Sequence, residues 1–358
     1  MIYLDYQATT PLAPEAREAM LRWLGGPQES TFGNPHSQHR MGRMAAAAVE
    51  LAREQVAGLF PGGGRVIFTS GATEAINLAI RGCRPGAVAC STIEHAAVRD
   101  TALASGERID LAVGAEGLVD PQVPIPAGAG LVAVMQVNNE IGTVQPVAAI
   151  AARARAGGAL VLCDAVQGAG RLPPPAGADL IAVSAHKLHG PKGVGALWVR
   201  DGVDLAPVAH GGGQEQGLRS GTLSPALCAG FGAAARIALE RREEDCAHVE
   251  ALWARARDLF AGWTLNGSAE HRWRGNLSLR KDGLDVARLM SDCRTVMFSA
   301  GSACASGSGR PSHVLKAIGL TDAQARSSVR LGFGRYTTLD EIEQAAARIS
   351  AAAREQGV

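Results

Sequence analysis

Polar residues follow five successive apolar stretches in the first two-thirds of the chain, and their types are those used in covalent and proton-transfer chemistry. The five groups are SGATEA (70–75), EH (94–95), NNE (138–140), DAVQ (164–167) and SAHK (184–187). In open α/β sheets, ligands bind beyond the carboxyl ends of the strands. The spacing therefore predicts that one small ligand lies across the end of a sheet.

Lys187 is the candidate for covalent chemistry. It comes soon after the apolar stretch Leu180–Ser184, and the chain has only four lysines beside 31 arginines. A desolvated lysine has a lowered pKa and is a good nucleophile toward carbonyl carbon. The structural alternative is a lysine held in a salt bridge at the end of a strand. Lys192, in HGPKGVG, is expected in a turn.

Three further groups could complete such a site, although each has a structural alternative. Asp164, with Gln167 nearby, could pair with a protonated ring nitrogen, or it could cap a helix or form a buried ion pair. The turn Ser70–Thr73 could bind a phosphate through backbone N–H groups, or it could be a plain helix cap. His95 could stack on a planar cofactor and move protons, or it could be a core histidine.

Cys304 differs from the other cysteines in its surroundings. The chain has seven cysteines, and no pair has CxxC spacing. The odd number argues against a disulfide framework, and the spacing argues against a cysteine zinc site. Cys304 lies in AGSACASGSG, whose small residues predict a mobile loop. An accessible thiol there is a candidate nucleophile, and an incidental loop cysteine is the alternative.

The composition excludes several classes of function. The formal net charge is +1 and 47% of the residues are hydrophobic, which predicts a large core and no general attraction to nucleic acid or to an anionic membrane. The start MIYLDYQATT predicts no signal peptide, and no stretch has the roughly 18 apolar residues of a membrane helix. Scattered single thiols favour the cytoplasm. The GxGxxG, P-loop, GxSxG and HExxH motifs are absent from the sequence,.

Short apolar stretches alternate with helix-like segments up to about residue 226, which predicts an α/β fold with a mainly parallel sheet covered by helices. The predicted strands are Arg65–Ser70, Ala87–Thr92, Leu131–Val137, Ala159–Asp164, Leu180–Ser184 and Val194–Arg200. Two long helical segments and a smaller α+β pattern follow. We predict a large domain over 15–242, and a small domain over 1–14 and 243–358 that carries the cysteine loop (about 299–310).

Taken together, the sequence resembles the cysteine desulfurases of the NifS/IscS type, which are pyridoxal phosphate (PLP)-dependent enzymes of the class V aminotransferase family. The resemblance covers nearly the whole chain and keeps order and spacing. The matching segments are YLDYQATTPLAP, FGNPHSQHRMG, FTSGATEAINLAI, EH, VNNEIGTVQP, CDAVQGAGRLP, SAHKLHGPKGVGAL, RSGTLSPA, GSACASGSGRPSHVLKAIGL and SSVRLGFGRYTTLDEI. It implies the PLP-dependent transferase fold of type I, with a seven-stranded sheet in the large domain.

The resemblance also implies residue roles. Lys187 would bind PLP covalently, Asp164 would pair with the pyridine nitrogen, and His95 would stack on the ring and help to move protons. Cys304 would accept the sulfur of L-cysteine as a persulfide, with L-alanine as the second product. Cys304 is also a candidate transient iron–sulfur ligand, and no other metal is expected.

The remaining implied ligands fall into three sets. The sets are Ala72, Thr73, Ser184 and His186 for the phosphate, Asn139 and Gln167 for the phenolic oxygen, and Arg330, Asn34 and Asn139 for the substrate. Arg335 is a rival to Arg330 for the substrate carboxylate. Thr222, in RSGT, resembles the threonine that reaches the phosphate of a neighbouring subunit, which implies a homodimer.

The implied partner is a sulfur-acceptor protein. The long Gly/Ser loop after Cys304 resembles that of the first desulfurase group, which passes sulfur directly to iron–sulfur scaffolds. The chain ends at Val358, whereas longer members have a C-terminal extension used in scaffold docking, so acceptors such as tRNA-thiolation proteins stay open.

Other functions remain open beside desulfuration. Selenocysteine lyases, aminotransferases and kynureninase-like hydrolases would use Lys187 and Asp164 equally well, and Cys304 in its loop favours a desulfurase. A non-catalytic binding or sulfur-transfer scaffold on the same fold is disfavoured, because all three of these residues are present.

Overall fold

The computed structural model describes residues 1–301 and 311–358 of the chain. Its strands are β1 (Ile2–Tyr3), β2 (Gly64–Thr69), β3 (Ala87–Ser91), β4 (Glu107–Leu111), β5 (Ala129–Ala133), β6 (Leu160–Asp164), β7 (Leu180–Ser184), β8 (Gly195–Arg200), β9 (Thr264–Leu265), β10 (Asn276–Arg280), β11 (Val296–Met297), β12 (Ser299–Ala300) and β13 (Ser328–Gly332). Its α-helices are α1 (Pro14–Leu21), α2 (Arg40–Ala57), α3 (Ala72–Cys83), α4 (Ala96–Ser105), α5 (Val147–Ala156), α6 (Pro225–Glu240), α7 (Arg242–Leu259), α8 (Val286–Asp292), α9 (His313–Ala317), α10 (Asp322–Arg326) and α11 (Leu339–Glu355).

Seven strands form one sheet in the order β2-β8-β7-β6-β5-β3-β4. β8 runs in the direction opposite to the other six strands of this sheet. Alternate residues of β2 enter different apolar clusters, with Val66 and Phe68 in one and Ile67 in the other. The sheet is therefore buried on both faces, as parallel sheets require. The predicted α/β fold with a mainly parallel seven-stranded sheet is confirmed.

The elements that the sequence pattern does not predict include β4 and α2. β4 reads ERIDL, and only Leu111 in it is buried. Charged residues are typical of an edge strand, which needs no continuous apolar stretch. α2 begins after His39, whose ring accepts the Gly42 N–H. Its buried face is built from small residues within an alanine-rich sequence, so its helical period is hard to detect.

A second core joins the two ends of the chain. β1 pairs in parallel with β11, and a four-stranded sheet has the order β12-β13-β10-β9. Ile2 and Leu4 pack in the same apolar cluster as Leu277, Leu331 and Ile349. We propose that this core is the small domain, in which case the expected boundary at 242–243 lies at the start of α7. No helix within residues 1–301 and 311–358 is long and apolar enough to cross a membrane.

Candidate functional site

A cavity of about 940 Å³ lies where β6 and β7 end and α3 begins. Arg330 of β13 and Gln7, which follows β1, also line it, so both cores contribute. Residues expected at the site from the sequence that line the cavity are Ala72, Thr73, His95, Asn139, Asp164, Gln167, Ser184, His186, Lys187 and Arg330.

Lys187 ends the 3₁₀ turn that follows β7. Its Nζ donates hydrogen bonds to the carbonyl oxygens of Gln7, at 2.5 Å, and Ala8, at 2.8 Å. Gln167 donates its Nε2 to the same Gln7 oxygen at 3.0 Å. The amine is therefore held at the cavity by the segment that follows β1.

Arg171 is a positioning residue that the sequence reasoning missed. Its Nη2 donates to the carbonyl oxygen of Lys187 at 2.5 Å, and its Nη1 donates to the carbonyl oxygen of Gln167 at 2.9 Å. Burial lowers the pKa of Arg171 to about 10, so the guanidinium is still charged at neutral pH. The Arg171 guanidinium thus holds the backbone of two cavity residues. The sequence offered one hint of this role, since Arg171 lies four residues after Gln167.

Asp164 is a buried carboxylate at the end of β6, 6% exposed. Its Oδ1 accepts the Val166 N–H at 3.0 Å. Burial raises the pKa of Asp164, and the charges of His95 and Lys187 act in the opposite direction. A carboxylate in this environment is stabilised by a cationic ligand such as a protonated pyridine nitrogen.

The first turn of α3 is suited to an anion. Its N-cap is Gly71, which has no side chain to occupy the first N–H groups,. A Cβ at Gly195 of β8 would lie 2.7 Å from the Gly71 Cα, so glycine allows the strand to pass beneath this turn. Lys192, expected only in a turn, also lines the cavity and adds positive charge.

His186 lines the cavity beside Lys187. Its Nδ1 lies 3.1 Å from the hydroxyl of Thr9. Burial, followed by the charges of Lys187 and Lys192, lowers the pKa of His186 to about 4. The ring is therefore neutral at physiological pH and contributes hydrogen bonding rather than charge.

Arg330 is only 1% exposed, yet it lines the cavity. Its Nη2 donates to Asp5 Oδ1 at 2.8 Å, and its Nη1 donates to the Asn139 carbonyl oxygen at 3.0 Å. A guanidinium has five N–H donors, so donors remain for a carboxylate in the cavity. The rival Arg335 pairs with Asp245 at 2.6 Å and lines a different cavity.

His95 is the N-cap of α4, and its Nδ1 accepts the Ala97 N–H at 3.1 Å. A backbone N–H only donates, so Nδ1 carries no proton here and the neutral ring has its proton on Nε2. His95 therefore presents a flat ring and one N–H donor, while its lone pair is used by the helix.

Glu140 is a cavity residue to which the sequence reasoning gave no role. It is buried and accepts a hydrogen bond from the hydroxyl of Ser312, the N-cap of α9. Burial raises the pKa of Glu140 to about 7. The motif NNE (138–140) predicts that Glu140 lies at the end of a strand, but its hydrogen-bond partner Ser312 lies far along the chain.

Two expected residues do not line this cavity, and a third is not among the described residues. Thr222 is exposed, and it follows Arg219, which pairs with Glu74 of α3 at 2.7 Å. Asn34 is exposed, and its Oδ1 accepts the His36 N–H at 2.9 Å. Cys304 lies outside the described residues.

The cysteines of the described residues are poor nucleophiles. Burial raises the pKa of Cys83 (to about 11), Cys90 and Cys228 (each to about 12), Cys163, Cys246 and Cys293. A raised pKa lowers the thiolate fraction at neutral pH. Within the described residues, moreover, no cysteine lines the cavity.

These residues fit pyridoxal phosphate. Lys187 provides an amine, Asp164 a buried carboxylate, and the start of α3 an anion site, all along one cavity. The flat ring of His95 lines the same cavity, in keeping with stacking on a planar cofactor.

Comparisons with known proteins give consistent results. A family model described as "Aminotransferase class-V" matches residues 2–345. The chain is 40% identical to "Cysteine desulfurase IscS" of Rickettsia bellii, over 96% of this chain and 89% of that protein. It is 41% identical to "Cysteine desulfurase, mitochondrial" of Eremothecium gossypii, over 96% of this chain and 74% of that protein.

Solved structures share the fold over nearly the whole chain. One described as "NIFS-LIKE PROTEIN" has a TM-score of 0.89 at 30% identity and covers 98% of both chains. Another, described as "SspA in complex with cysteine", has a TM-score of 0.82 at 33% identity and covers 94% of this chain and 100% of that one.

Proposed function

The chain belongs to the class V aminotransferase family and is a cysteine desulfurase, and we propose that it uses pyridoxal phosphate to move the sulfur of L-cysteine onto Cys304, releasing L-alanine. The proposal depends on one observation, that Lys187, Asp164 and Arg330 line a single cavity. Together they would offer an amine and a carboxylate to the cofactor and a guanidinium to the carboxylate of an α-amino acid.

The cofactor would be held by residues along the whole cavity. Lys187 would bind it covalently and Asp164 would pair with its ring nitrogen. His95 would stack on the ring, and the other ligands would be Ala72, Thr73, Ser184 and His186 for the phosphate and Asn139 and Gln167 for the phenolic oxygen. When bound, PLP supplies an electron sink for the charge that develops next to the substrate's amino group.

The chain's own groups would perform the remaining tasks. Arg330 would hold the substrate carboxylate, and the amine of Lys187 would take and return the proton at the α carbon. The Cys304 thiolate would attack the substrate sulfur, so that an S–S bond forms as the C–S bond breaks. Overall, the two thiols carry two hydrogens before the reaction; afterwards the persulfide carries one and the methyl group of alanine has gained the other.

A homodimer would complete the site, with Thr222 reaching the phosphate of the neighbouring subunit. The loop that carries Thr222 is anchored by Glu215, which accepts hydrogen bonds from Arg53 and from the Phe68 N–H, both at 2.7 Å. Glu215 and Gln216 have φ of 48° and 58°, and such left-handed residues cost on the order of 1–3 kcal/mol each. This backbone cost supports our proposal that the loop carrying Thr222 is held in this conformation for a function.

Mixing two inactive variants tests this dimer. In a mixed dimer of Lys187→Ala and Thr222→Ala subunits, the only site that retains Lys187 would receive Thr222 from the other subunit. We therefore expect mixing to restore cysteine desulfurase activity that neither variant shows alone. No recovery from verified mixed dimers would mean that Thr222 does not act across the subunits.

The persulfide would pass to a sulfur-acceptor protein, for which an iron–sulfur scaffold is our proposal. A cysteine that cycles between thiolate and persulfide needs a reducing compartment, so we place the reaction in the cytoplasm. The net charge of +1 supports neither nucleic acid nor an anionic membrane as a partner,.

Product analysis tests the proposed chemistry. With L-cysteine and a reductant, the wild type should release equal amounts of sulfide and alanine. Cys304→Ala should keep the absorbance of bound PLP and release neither product, while the control Cys246→Ala should remain active. Lys187→Ala should lose the absorbance of covalently bound PLP. Undiminished sulfide release from Cys304→Ala would refute the role of Cys304.

A further inference from the structure

His313, the first residue of α9, lines the cavity but has no role in the chemistry above. Its Nε2 lies 3.0 Å from the carbonyl oxygen of Glu94. A carbonyl oxygen only accepts, so the proton of the neutral ring lies on Nε2 and the lone pair lies on Nδ1. Within residues 1–301 and 311–358, no group donates a hydrogen bond to that Nδ1.

The other two histidines of the cavity have their Nδ1 atoms engaged. His95 uses the Nδ1 lone pair to cap α4, and taking up a proton there would break that cap,. His186 has its Nδ1 beside the hydroxyl of Thr9. Among the cavity histidines of the described chain, His313 is therefore the one whose Nδ1 accepts no hydrogen bond and contacts no described hydroxyl.

Burial, more than neighbouring charge, favours the neutral form of His313. Burial lowers the pKa of His313, whereas its hydrogen bond to the Glu94 carbonyl raises it. Arg99 and His95 lower the pKa further, and Asp100 raises it. These three residues belong to α4 or its cap, and the carboxyl groups of Glu94 and Glu140 lie on the segments that contact His313 and its neighbour Ser312. A neutral imidazole keeps its lone pair at physiological pH.

We propose that Nδ1 of His313 is the base that takes a proton from the ammonium group of incoming L-cysteine. The N–H bond of the substrate breaks, its electron pair stays on the substrate nitrogen, and an N–H bond forms at Nδ1. L-cysteine enters and L-alanine leaves with an ammonium group, so the proton is returned to the product and the balance closes. The inference rests on the proposed PLP-dependent function, in which the substrate must react through its free amine.

The amine step can be measured without the sulfur chemistry, in the Cys304→Ala background. His313→Gln is the informative variant, because its side-chain amide can still donate to the Glu94 carbonyl but cannot take up a proton. We expect L-cysteine to change the PLP absorbance about 10²-fold more slowly in this variant, the lower range for general base catalysis. The acid limb of the rate, set by a pKa below 6.5 in the parent, should also disappear. His271→Gln, an exposed histidine outside the cavity, is the matched control.

Each outcome decides between specific ideas. An unchanged rate and pH profile in His313→Gln would overturn the proposal, even if the same substitution slowed sulfide release from a protein that retains Cys304, because His313 would then act on sulfur. No absorbance change in the parent would refute the PLP-dependent function itself. If His313→Gln fails to hold PLP, ¹⁵N NMR of the wild-type histidines decides, and a neutral His313 with its proton on Nδ1 would overturn the proposal.

Discussion

Replacing Arg330 with lysine separates substrate binding from the rest of the reaction. The guanidinium already contacts Asp5 at 2.8 Å and the Asn139 carbonyl oxygen at 3.0 Å, which fixes its plane. Lysine keeps the charge, but one ammonium cannot make these contacts and also a bidentate pair with a carboxylate. Losing one charged hydrogen bond costs about 1.5–3 kcal/mol. At about 1.4 kcal/mol per tenfold change, the KM for L-cysteine should rise about 10- to 150-fold.

The assay is alanine formation over a range of L-cysteine concentrations, with bound PLP measured by absorbance. Arg335→Lys is the matched control, because Arg335 is similarly buried and pairs with Asp245 outside the cavity. The control should lose stability while its KM stays within about two-fold of the wild type. An unchanged KM in PLP-loaded Arg330→Lys, or a large rise in Arg335→Lys, would contradict the assignment of the substrate carboxylate to Arg330.

Two further substitutions test the cavity walls. Gly195→Ala should weaken PLP binding in an absorbance titration, because its Cβ would lie 2.7 Å from the Gly71 Cα. A Cβ at Gly62 meets no atom within 4 Å, so the control Gly62→Ala should bind PLP normally. Glu140 has a pKa of about 7 in the folded protein and 4.5 in the unfolded chain. Its contribution to folding stability is therefore full below pH 4.5 and is lost as the pH rises through about 7,. Urea unfolding of the wild type should show that the free energy of unfolding falls by up to about 3 kcal/mol over that pH range. The fall should be smaller in Glu140→Gln, and an equal dependence of stability on pH in the two proteins would refute this.

The strand-end residues could be predicted because local sequence determines them. Lys187 and Asp164 each follow a short apolar stretch, and the carboxyl ends of parallel strands meet at one edge of the sheet. Arg330 could be named only from the family resemblance, because it reaches the cavity on β13 through contacts with Asp5 and Asn139. No local pattern encodes such long-range pairs.

The sequence also could not predict which atom donates and which accepts in each hydrogen bond. His95 and His313 both line the cavity, but only their partners, an N–H for one and a carbonyl for the other, reveal where each lone pair lies. Strand β4 was missed because its edge position tolerates charge,. The sequence thus predicts which residue types meet in the cavity better than it predicts what each atom does there.

The pairing of the two chain ends has a consequence for synthesis. Ile2 pairs with Val296, and Asp5 pairs with Gly332, so these residues stay unpaired until residues far later in the chain have been synthesised. The same N-terminal stretch presents the carbonyl oxygens that hold Lys187. The large sheet can assemble during translation, whereas pairing across such a sequence separation is slow. The lysine is therefore anchored only after Val296 and Gly332 have been synthesised, and a shorter nascent chain cannot display a finished reaction centre.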